Sequence, residues 1–325
     1  MYAKLAGWGK YVPETTITNH QLAERVETSD EWIQQRTGIR ERHVASDDEH
    51  TSHMASHASR AALEMAGVDA ADLDLIIVAT SSPDYLTPPV SSQVQDQLGA
   101  TNVGAMTMVV GCPGFVYALV TADRFIRAGD CEKVLVVGVE LISRMLDWDD
   151  RNTCVLFGDG AGAVVLTATE ERTGVLSYVL GSDGAGAEHL IMPGGGIAEP
   201  PTHETVDAGR HYLQMNGREV FKFATRVMGS SLQQALEKAG LTIDDVDLFI
   251  PHQANARIIE FAAKQAGLAP EKVFVNVGNY GNTSAASVPL ALVEAHEAGR
   301  FKPGDTLALV AFGAGLSWAA TVFQT

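Results

Sequence analysis

A repeated segment constrains the fold of this chain more than any other feature of its sequence. Residues 62–77, ALEMAGVDAADLDLII, align with residues 235–250, ALEKAGLTIDDVDLFI, and nine of the sixteen positions are identical. Unrelated sequences would share about one position in sixteen. The same offset of 173 residues relates two further pairs of segments, 118–122 with 291–295 and 133–137 with 306–310. A chance likeness of two helix–strand units is the alternative, but the constant offset favours two copies of one unit fused in tandem.

Each predicted copy combines helices with short apolar strands. An alanine-rich helix over residues 54–66 precedes the strand-like run 74–80, and residues 133–139, KVLVVGV, form a second such run. Strands that are apolar on both faces are typical of a sheet that helices cover on both sides. The chain is therefore predicted to be an α/β protein, with an N-terminal half of residues 1–171 and a C-terminal half of residues 172–325.

The balance of charge argues against several classes of partner. The 23 lysines and arginines and the 40 aspartates and glutamates give a net charge of −17. Nucleic-acid-binding proteins normally carry a basic surplus, and an anionic membrane surface repels an acidic chain on average. Residues 103–122 are uncharged over the length of a membrane span, but the sequence GCPG at 111–114 would break a spanning helix. We therefore predict a buried strand, a sharp turn and a buried helix there.

The cellular setting is predicted from the N-terminus and the cysteines. The first eight residues, MYAKLAGW, lack the charged and then apolar build of a secretion signal. The three cysteines, Cys112, Cys131 and Cys154, are too few and too scattered for a disulfide framework. A reducing cytoplasm is therefore the expected location.

The repeat also indicates a candidate nucleophile. Cys112 lies between Gly111 and Pro113 at a predicted helix start, and its counterpart at the same offset, Ala285, also lies where a helix begins. The free N–H groups and the positive dipole end of a helix lower the pKa of a cysteine placed there. A buried and inert cysteine is the alternative interpretation.

His252 and Asn282 are two further candidates. His252 directly follows a predicted strand, where ligands of α/β proteins gather, and Asn282 lies in the segment GNTSAAS at 281–287. A hydrogen-bonded core histidine and a helix cap are the alternatives. A cysteine, a histidine and an asparagine at strand-to-helix junctions together form a candidate nucleophile with two hydrogen-bonding groups.

Two other patterns predict no cofactor and no metal. The segment GDGAGA at 158–163 superficially resembles a dinucleotide loop, but it does not open an early βαβ unit and lacks an acidic partner at the right distance. We interpret it as a site of tight packing. His53 and His57 would share a helix face near His50, but no glutamate or cysteine completes a metal motif there.

Over essentially its whole length, the chain resembles the β-ketoacyl-acyl-carrier-protein synthase III family. Seven segments carry the resemblance: TSDEWI at 28–33, RTGIRER at 36–42, GCPGF at 111–115, FGDGAG at 157–162, PHQAN at 251–255, GNTSAAS at 281–287 and FGAGLSW at 312–318. The resemblance implies a thiolase fold, in which two pseudo-symmetric α/β halves pack as a five-layer αβαβα core. It also implies a homodimeric acyltransferase that joins an acyl-CoA to malonyl-acyl carrier protein with loss of CO₂ and without a cofactor.

The family's site residues transfer to this chain one by one. Its Cys-His-Asn triad falls on Cys112, His252 and Asn282. The resemblance implies an acyl-Cys112 intermediate, with the backbone N–H groups of Cys112 and Ala314 as the oxyanion hole, and an enolate that His252 and Asn282 stabilise. The implied CoA site consists of Thr28, Trp32, Arg36, Arg151, Gly217, Phe221 and Asn255.

The chain departs from the family pattern near the predicted acyl pocket. Pro113 replaces the small residue that usually follows the nucleophile, and Ala314 stands where the family usually has glycine. Thr87 aligns with a position that the partner subunit uses to cap the pocket. Threonine leaves more room than an aromatic residue, so we predict that longer or branched acyl chains are accepted. Pro113, Ile142 and Phe312 are the residues that could close the pocket again.

A local basic patch would reconcile the acidic chain with an acidic carrier protein. Its predicted members are Arg218, Lys222, Arg226, Arg257 and Lys264, which would rim the tunnel mouth together with Arg36, Arg40 and Arg151. Two rival functions remain open. One is an acyltransferase or condensing enzyme of secondary metabolism that uses another acceptor. The other is a silent partner subunit, which the presence of Cys112 disfavours.

Overall fold

The computed structural model describes all 325 residues, which form thirteen strands and ten α-helices. The strands are β1 (Tyr2–Tyr11), β2 (Thr16–Thr18), β3 (Glu41–His43), β4 (Leu75–Ala79), β5 (Gly104–Met108), β6 (Lys133–Glu140), β7 (Gly160–Thr169), β8 (Gly174–Ser182), β9 (Leu190–Ile191), β10 (Gln214–Met215), β11 (Leu248–Pro251), β12 (Thr306–Gly313) and β13 (Ser317–Gln324). The helices are α1 (Asn19–Ala23), α2 (Asp30–Thr37), α3 (Thr51–Ala66), α4 (Val90–Leu98), α5 (Gly114–Ala128), α6 (His203–Asp207), α7 (Gly217–Ala239), α8 (Ala256–Ala266), α9 (Val277–Tyr280) and α10 (Ser287–Glu297).

Each half of the chain contributes one main sheet. The N-terminal sheet has the strand order β1-β7-β6-β4-β5, and the C-terminal sheet has the order β11-β12-β13-β8. Strand β4 runs parallel to β5 and β6, and β11 runs parallel to β12, while the remaining pairs are antiparallel.

The repeated sequence forms the same elements twice. Strands β4 and β11 begin 173 residues apart, as do β6 and β12, and as do α5 and α10. The two copies of the repeated segment therefore occupy matching places in the two halves. The predicted boundary at residue 171 falls between β7 and β8, and it stays a prediction.

Side chains alternate between the two faces of each strand, and this alternation builds the layers. In β4, Ile77 faces the space between the sheets, while Ile76 and Val78 pack against α3 and α4. In β12, Leu309 faces the same central space, while Ala308 packs against α7 and α8. Helices α5 and α10 fill the central layer. The order helices, sheet, helices, sheet, helices confirms the predicted five-layer αβαβα core.

The prediction for the uncharged residues 103–122 is confirmed in its order of elements and wrong in one respect. These residues form β5, a turn and the first part of the buried helix α5, but β5 is not buried, because it is the edge strand of its sheet and has half-buried or exposed residues. None of the ten helices combines the length and the apolar character needed to cross a membrane. In the glycine-rich segment 158–163, a Cβ atom on Gly162 would lie 2.7 Å from the Cβ of Pro289 in α10, so glycine there allows close packing of helix on strand.

Candidate active site

Cys112 lies in the turn between β5 and α5, with Pro113 as the residue that caps the helix. Gly111 has a φ of +65°, a conformation that favours glycine, and a Cβ there would lie 3.1 Å from backbone atoms of Ala314. A Cβ on Gly313 would lie 2.9 Å from the Cys112 sulfur. Both glycines therefore let two stretches of backbone close around the thiol, which is only 6% exposed.

The predicted lowering of the Cys112 pKa by a helix start is wrong for the resting site, because burial outweighs the helix terminus. Burial raises the pKa of the thiol to about 12; the Ser284 side chain opposes the rise, and the charge of Glu140 adds to it. The backbone N–H groups of Cys112 and Ala314 lie near the sulfur and offset a small part of this rise in pKa. An oxyanion hole needs N–H groups that point to the place where the thioester oxygen will lie beside this sulfur, and these two N–H groups stay the predicted donors. Ala314 does not have a positive φ, so alanine at this position causes no backbone strain.

His252 follows the last residue of β11 and is 1% exposed. Its Nδ1 lies 2.5 Å from Oγ of Ser287, the first residue of α10. Ser287 Oγ also accepts the N–H of Gln253 at 3.3 Å, so its own hydrogen is free to be donated to Nδ1. In that tautomer the imidazole proton is on Nε2. Burial lowers the pKa of His252 to about 3, which keeps the ring uncharged at neutral pH.

Asn282 lies in the loop before α10 and is 7% exposed. Its backbone N–H donates to the carbonyl of Leu156 at 2.7 Å. The side-chain Oδ1 accepts the N–H of Ser284 at 2.9 Å. Because this oxygen already has a partner, the amide NH₂ group is the part of the side chain that is left to bind a ligand.

A cavity of about 170 Å³ unites the three predicted catalytic residues. Cys112, His252 and Asn282 line it, and the ring of Phe312 packs edge-on against His252 with 5.3 Å between centroids. Most of the remaining lining is apolar: Leu156, Phe157, Leu190, Met215, Val220, Ala254 and Ile258. A larger cavity of about 610 Å³ lies beside residues 81–86 but contains none of the three. The smaller cavity is the candidate site because the reactive groups converge there.

Three of the predicted CoA-binding residues line the same cavity: Gly217, Phe221 and Asn255. Asn255 caps the N-terminus of α8, and its Nδ2 donates to the carbonyl of Arg36 at 3.0 Å. This hydrogen bond connects the cavity wall to α2, where two further predicted CoA-binding residues lie. Arg36 itself is exposed on that helix.

Trp32 and Arg151 lie together on the surface. The guanidinium carbon of Arg151 is 5.5 Å from the centroid of the indole, which is a cation–π distance. Trp32 is 37% exposed, so part of the ring remains free for a ligand to stack on it. The hydroxyl of Thr28, the last predicted CoA-binding residue, is buried without a hydrogen-bond partner.

The predicted acyl pocket does not assemble within a single chain. Phe312 lines the candidate cavity, but Ile142 and Thr87 do not. Ile142 is 4% exposed and packs against Leu146 and Phe157 in a separate apolar cluster. Thr87 lies in an exposed surface segment.

All five predicted docking residues are exposed on two neighbouring helices. Arg218, Lys222 and Arg226 lie on α7, so their spacing of four residues places them on one helix face. Arg257 and Lys264 lie on α8. Lys222 is paired with Glu219 at 2.7 Å, which offsets part of its charge.

Sequence reasoning missed three polar residues around the site: Glu140, Ser284 and Ser287. The two serines lie inside one of the segments that carry the family resemblance, but nothing in their spacing indicated what they contact. Glu140 ends the apolar run 133–139, and a lone carboxylate directly after a buried strand was the available signal. Its side chain is fully buried and hydrogen-bonded to Ser284.

Comparison with known proteins identifies the family. The family model of 3-oxoacyl-[acyl-carrier-protein (ACP)] synthase III matches residues 106–184, and a second family model, of its C-terminal part, matches residues 236–325. A curated relative, the β-ketoacyl-[acyl-carrier-protein] synthase III of Symbiobacterium thermophilum, is 52% identical over 98% of this chain and 97% of its own length.

Solved structures agree with the sequence matches. The β-ketoacyl-[acyl carrier protein] synthase III of Thermus thermophilus has a TM-score of 0.92 and 48% identity, over 99% of this chain and 98% of its own. The priming β-ketosynthase of the R1128 polyketide biosynthetic pathway has a TM-score of 0.92 and 36% identity, over 99% and 96% of the two chains. The predicted thiolase fold is confirmed, and the chain belongs to the 3-oxoacyl-[acyl-carrier-protein] synthase III family.

Proposed function

We propose that this protein condenses an acyl-CoA primer with malonyl-acyl carrier protein. The products are a 3-ketoacyl-acyl carrier protein, CO₂ and free CoA, and the reaction initiates fatty acid synthesis. The observation that carries the proposal is the convergence of Cys112, His252 and Asn282 on one cavity. The curated relatives with about half of their residues in common carry the name of this synthase.

The first half-reaction forms an acyl-enzyme. The sulfur of Cys112 attacks the thioester carbon of the acyl-CoA and loses its proton, and CoA leaves as the carbon–sulfur bond breaks and takes up a proton, so that the net products are the acyl-enzyme and the CoA thiol. The oxygen of the tetrahedral intermediate is negatively charged and needs hydrogen-bond donors. The N–H groups of Cys112 and Ala314, which lie near the sulfur, would supply them.

The second half-reaction uses His252 and Asn282. Loss of CO₂ from the malonyl group leaves an enolate, whose oxygen needs donors while its carbon attacks the acyl-Cys112 thioester. The Nε2 proton set by Ser287 and the amide NH₂ of Asn282 provide two donors. Decarboxylation itself supplies the carbanion, so a neutral imidazole is sufficient and the reaction as proposed needs no metal and no redox cofactor.

Substrate binding uses the surface around the cavity. The Trp32–Arg151 pair would hold the adenine of CoA by stacking and cation–π contact. Gly217, Phe221 and Asn255 would line the passage of the pantetheine arm. The five basic residues of α7 and α8 would dock the acidic carrier protein.

We propose the cytoplasm as the location of the protein, because both of its proposed substrates occur there.

We also propose that the active protein is a homodimer. Strand β5 is the last strand of the N-terminal sheet, so one of its edges is unpaired. Val109, directly after β5, is 71% exposed, and Leu86, beside Thr87, is 86% exposed. A second copy paired along β5 would cover this edge, and the family resemblance implies that its Thr87 segment would then cap the neighbouring site.

A condensing enzyme of secondary metabolism is the second candidate. The similarity to a priming ketosynthase of a polyketide pathway favours it, and the same triad would serve. The two functions differ in the acyl group and in the carrier protein, not in the chemistry at Cys112.

The test is a condensation assay with purified protein, acyl-CoA primers from two to twelve carbons, and malonyl-acyl carrier protein from fatty acid synthesis. We expect 3-ketoacyl-acyl carrier protein by mass spectrometry and no product with Cys112→Ala. Product only with a polyketide carrier protein would favour the second candidate. A Cys112→Ala protein with full activity would contradict both.

A further inference from the structure

Glu140 is a fully buried carboxylate at the end of β6 that the proposed chemistry leaves without a role. Three of its hydrogen-bond donors lie in the loop after β4: Ser82 Oγ at 2.6 Å, the N–H of Ser81 at 3.1 Å and Thr80 Oγ1 at 3.3 Å. The fourth donor is Ser284 Oγ, 3.0 Å from Oε1, which comes from the turn before α10. Four donors need two acceptor oxygens, and a carboxylate supplies them. Glu140 therefore joins the loop after β4 to the turn before α10.

Ser284 connects this carboxylate to Asn282. Its hydroxyl donates its one hydrogen to Glu140, and its backbone N–H donates to Oδ1 of Asn282 at 2.9 Å. The φ of Ser284 is +49°, and only one other non-glycine residue of the chain, Asn102, has a positive φ. Such a backbone is strained in a residue with a side chain and persists where the surrounding contacts hold it. The hydrogen bond to Glu140 is such a contact, because it anchors the Ser284 side chain to a buried group.

The N–H of Ser284 decides which end of the Asn282 amide faces the cavity. The backbone of Asn282 is fixed, since its N–H donates to the carbonyl of Leu156 at 2.7 Å and its carbonyl accepts the N–H of Gly158 at 3.1 Å. The side chain of Asn282 can still rotate, and the oxygen and NH₂ ends of an amide have nearly the same size. A donor on one side excludes the NH₂ group there, so Oδ1 faces Ser284 and the NH₂ group is left for the ligand. With a negative φ at Ser284, this N–H would point elsewhere and the selection would be lost.

We propose that Glu140 is a positioning residue for the enolate donor Asn282 and that it acts through Ser284. The carboxylate anchors the Ser284 hydroxyl, the anchored side chain holds the backbone at a positive φ, and the backbone N–H then orients the Asn282 amide. Glu140 itself would not touch the substrate, because its side chain is fully buried and does not line the cavity. This inference deepens the proposed function and rests on it, since the enolate is the group to which the amide would donate.

The test compares the two half-reactions in variants of Ser284. Ser284→Ala keeps the backbone N–H but loses the anchor, so CO₂ release from malonyl-acyl carrier protein should fall about tenfold or more. Ser284→Gly also loses the hydroxyl, but glycine adopts a positive φ without strain, so CO₂ release should stay within about threefold of the wild-type rate. Acylation of Cys112 by acyl-CoA does not use the Asn282 amide, and its rate should change by less than about twofold in both variants.

Three results for the Ser284 variants overturn the proposal. A wild-type rate of CO₂ release in Ser284→Ala would show that the hydroxyl anchors nothing that matters. Equal losses in Ser284→Gly and Ser284→Ala would show that the hydroxyl acts in some way other than by holding the backbone. Equal losses of acylation and CO₂ release in Ser284→Ala would show a general defect of the site.

Variants of Glu140 test the same hydrogen bond from its other end. Glu140→Met has a similar length but accepts no such hydrogen bond, so it should lose as much CO₂ release as Ser284→Ala and cause no further loss in a chain that carries Ser284→Gly. Glu140→Gln should stay within about threefold of the wild-type rate, because its amide can hydrogen-bond to the Ser284 hydroxyl. Glu132→Met, just before the same strand and exposed, is the matched control. Wild-type CO₂ release in Glu140→Met, or a Glu140→Gln as slow as Glu140→Met, overturns the proposal. If Glu140→Met does not fold, Ser284→Ala breaks the same hydrogen bond and decides the test.

Crystal structures distinguish this proposal from the proposed function, because they need no substrate. We expect the hydrogen bond from the N–H of residue 284 to Asn282 Oδ1 in the wild type and in Ser284→Gly, and we expect it to be absent in Ser284→Ala. The same hydrogen bond in Ser284→Ala, with the positive φ unchanged, overturns the proposal. The expected structures from a wild-type protein that releases no CO₂ would contradict only the proposed function.

Discussion

Nδ1 of His252 and Oγ of Ser287 lie 2.5 Å apart, although 35 residues separate them in the chain. Ser287 is the first residue of α10, and α10 occupies the central layer between the two sheets. The first residue of this helix thus fixes the tautomer of His252, which directly follows β11. This contact gives Ser287 a positioning role, since its hydroxyl would not touch the substrate.

Removing the Ser287 hydroxyl should impair decarboxylation and leave acylation intact. In Ser287→Ala nothing holds the proton on Nε2, so the enolate loses a donor and kcat should fall on the order of tenfold to a hundredfold. The measurements are CO₂ release from malonyl-acyl carrier protein and the rate of acyl transfer to Cys112. Ser230→Ala, an exposed serine on α7, is the control. Equal losses in both half-reactions would argue against the positioning role.

The buried imidazole of His252 should make stability depend on pH. Its pKa is about 3 in the folded chain, whereas an exposed ring has a pKa of 6.5, so only the unfolded state takes up a proton between these limits. The free energy of unfolding should therefore fall as the pH drops below 6.5, by up to about 1.4 kcal/mol per pH unit from this group. Urea unfolding of wild type and His252→Gln at pH 5, 6, 7 and 8 isolates the contribution. Parallel curves for the two proteins would contradict the buried neutral ring.

The Trp32–Arg151 pair should affect CoA binding alone. Trp32→Ala removes a stacking surface and a cation–π partner, so KM for acyl-CoA should rise about fivefold or more. Arg151→Ala should act in the same direction, and the double variant should show less than the product of the two effects. KM for malonyl-acyl carrier protein should not change. Arg300→Ala, which removes a guanidinium 5.9 Å from the ring centroid of Phe274, is the control; if it raised KM for acyl-CoA equally, the assignment would fail.

Charge reversal on the basic patch should affect the carrier protein more than CoA. Arg257→Glu is expected to lower kcat/KM for malonyl-acyl carrier protein about fivefold or more, with a smaller effect at high salt, because exposed charges act through screened attraction. Lys238→Glu, at the far end of α7, is the matched control. The assay compares the condensation rate with the acylation rate of Cys112. Equal loss of both rates would show that the patch does not discriminate between the substrates.

Thr87 should allow a wider range of acyl-CoA primers than an aromatic residue at the same position would. We expect activity with acyl-CoA substrates longer or more branched than acetyl-CoA, and we expect Thr87→Phe to narrow the range towards acetyl-CoA by filling the same space. Rates over a series from two to twelve carbons measure both effects. Strict preference for acetyl-CoA in the wild type would contradict the prediction. In that case Pro113, Ile142 and Phe312 are the residues that we expect to close the acyl pocket.

The internal repeat made it possible to predict much of this fold from the sequence. The offset of 173 residues relates β4 to β11, β6 to β12 and α5 to α10, so the layers followed from patterns repeated within the chain. Cys112, His252 and Asn282 were also predictable, because each lies where a strand ends or a helix begins and such junctions gather reactive groups. The structure brings these three to one cavity.

The contacts around the triad were not predictable in the same way. Ser284 and Glu140 meet although 144 residues separate them, and no local pattern encodes a contact between a turn of one half and a strand end of the other. Thr87 and Ile142 show a different limit. They do not line the cavity of a single chain, so their predicted role depends on how a second copy packs, which a single sequence does not specify.

Mass spectrometry of the acyl-enzyme tests the central claim most directly. The protein is exposed to a mixture of acyl-CoA substrates, digested and analysed, and a parallel sample then receives malonyl-acyl carrier protein. We predict that the peptide containing Cys112 gains the mass of an acyl group, and that malonyl-acyl carrier protein removes it with formation of 3-ketoacyl-acyl carrier protein. Formation of that product with no acyl group ever found on Cys112 would contradict the account.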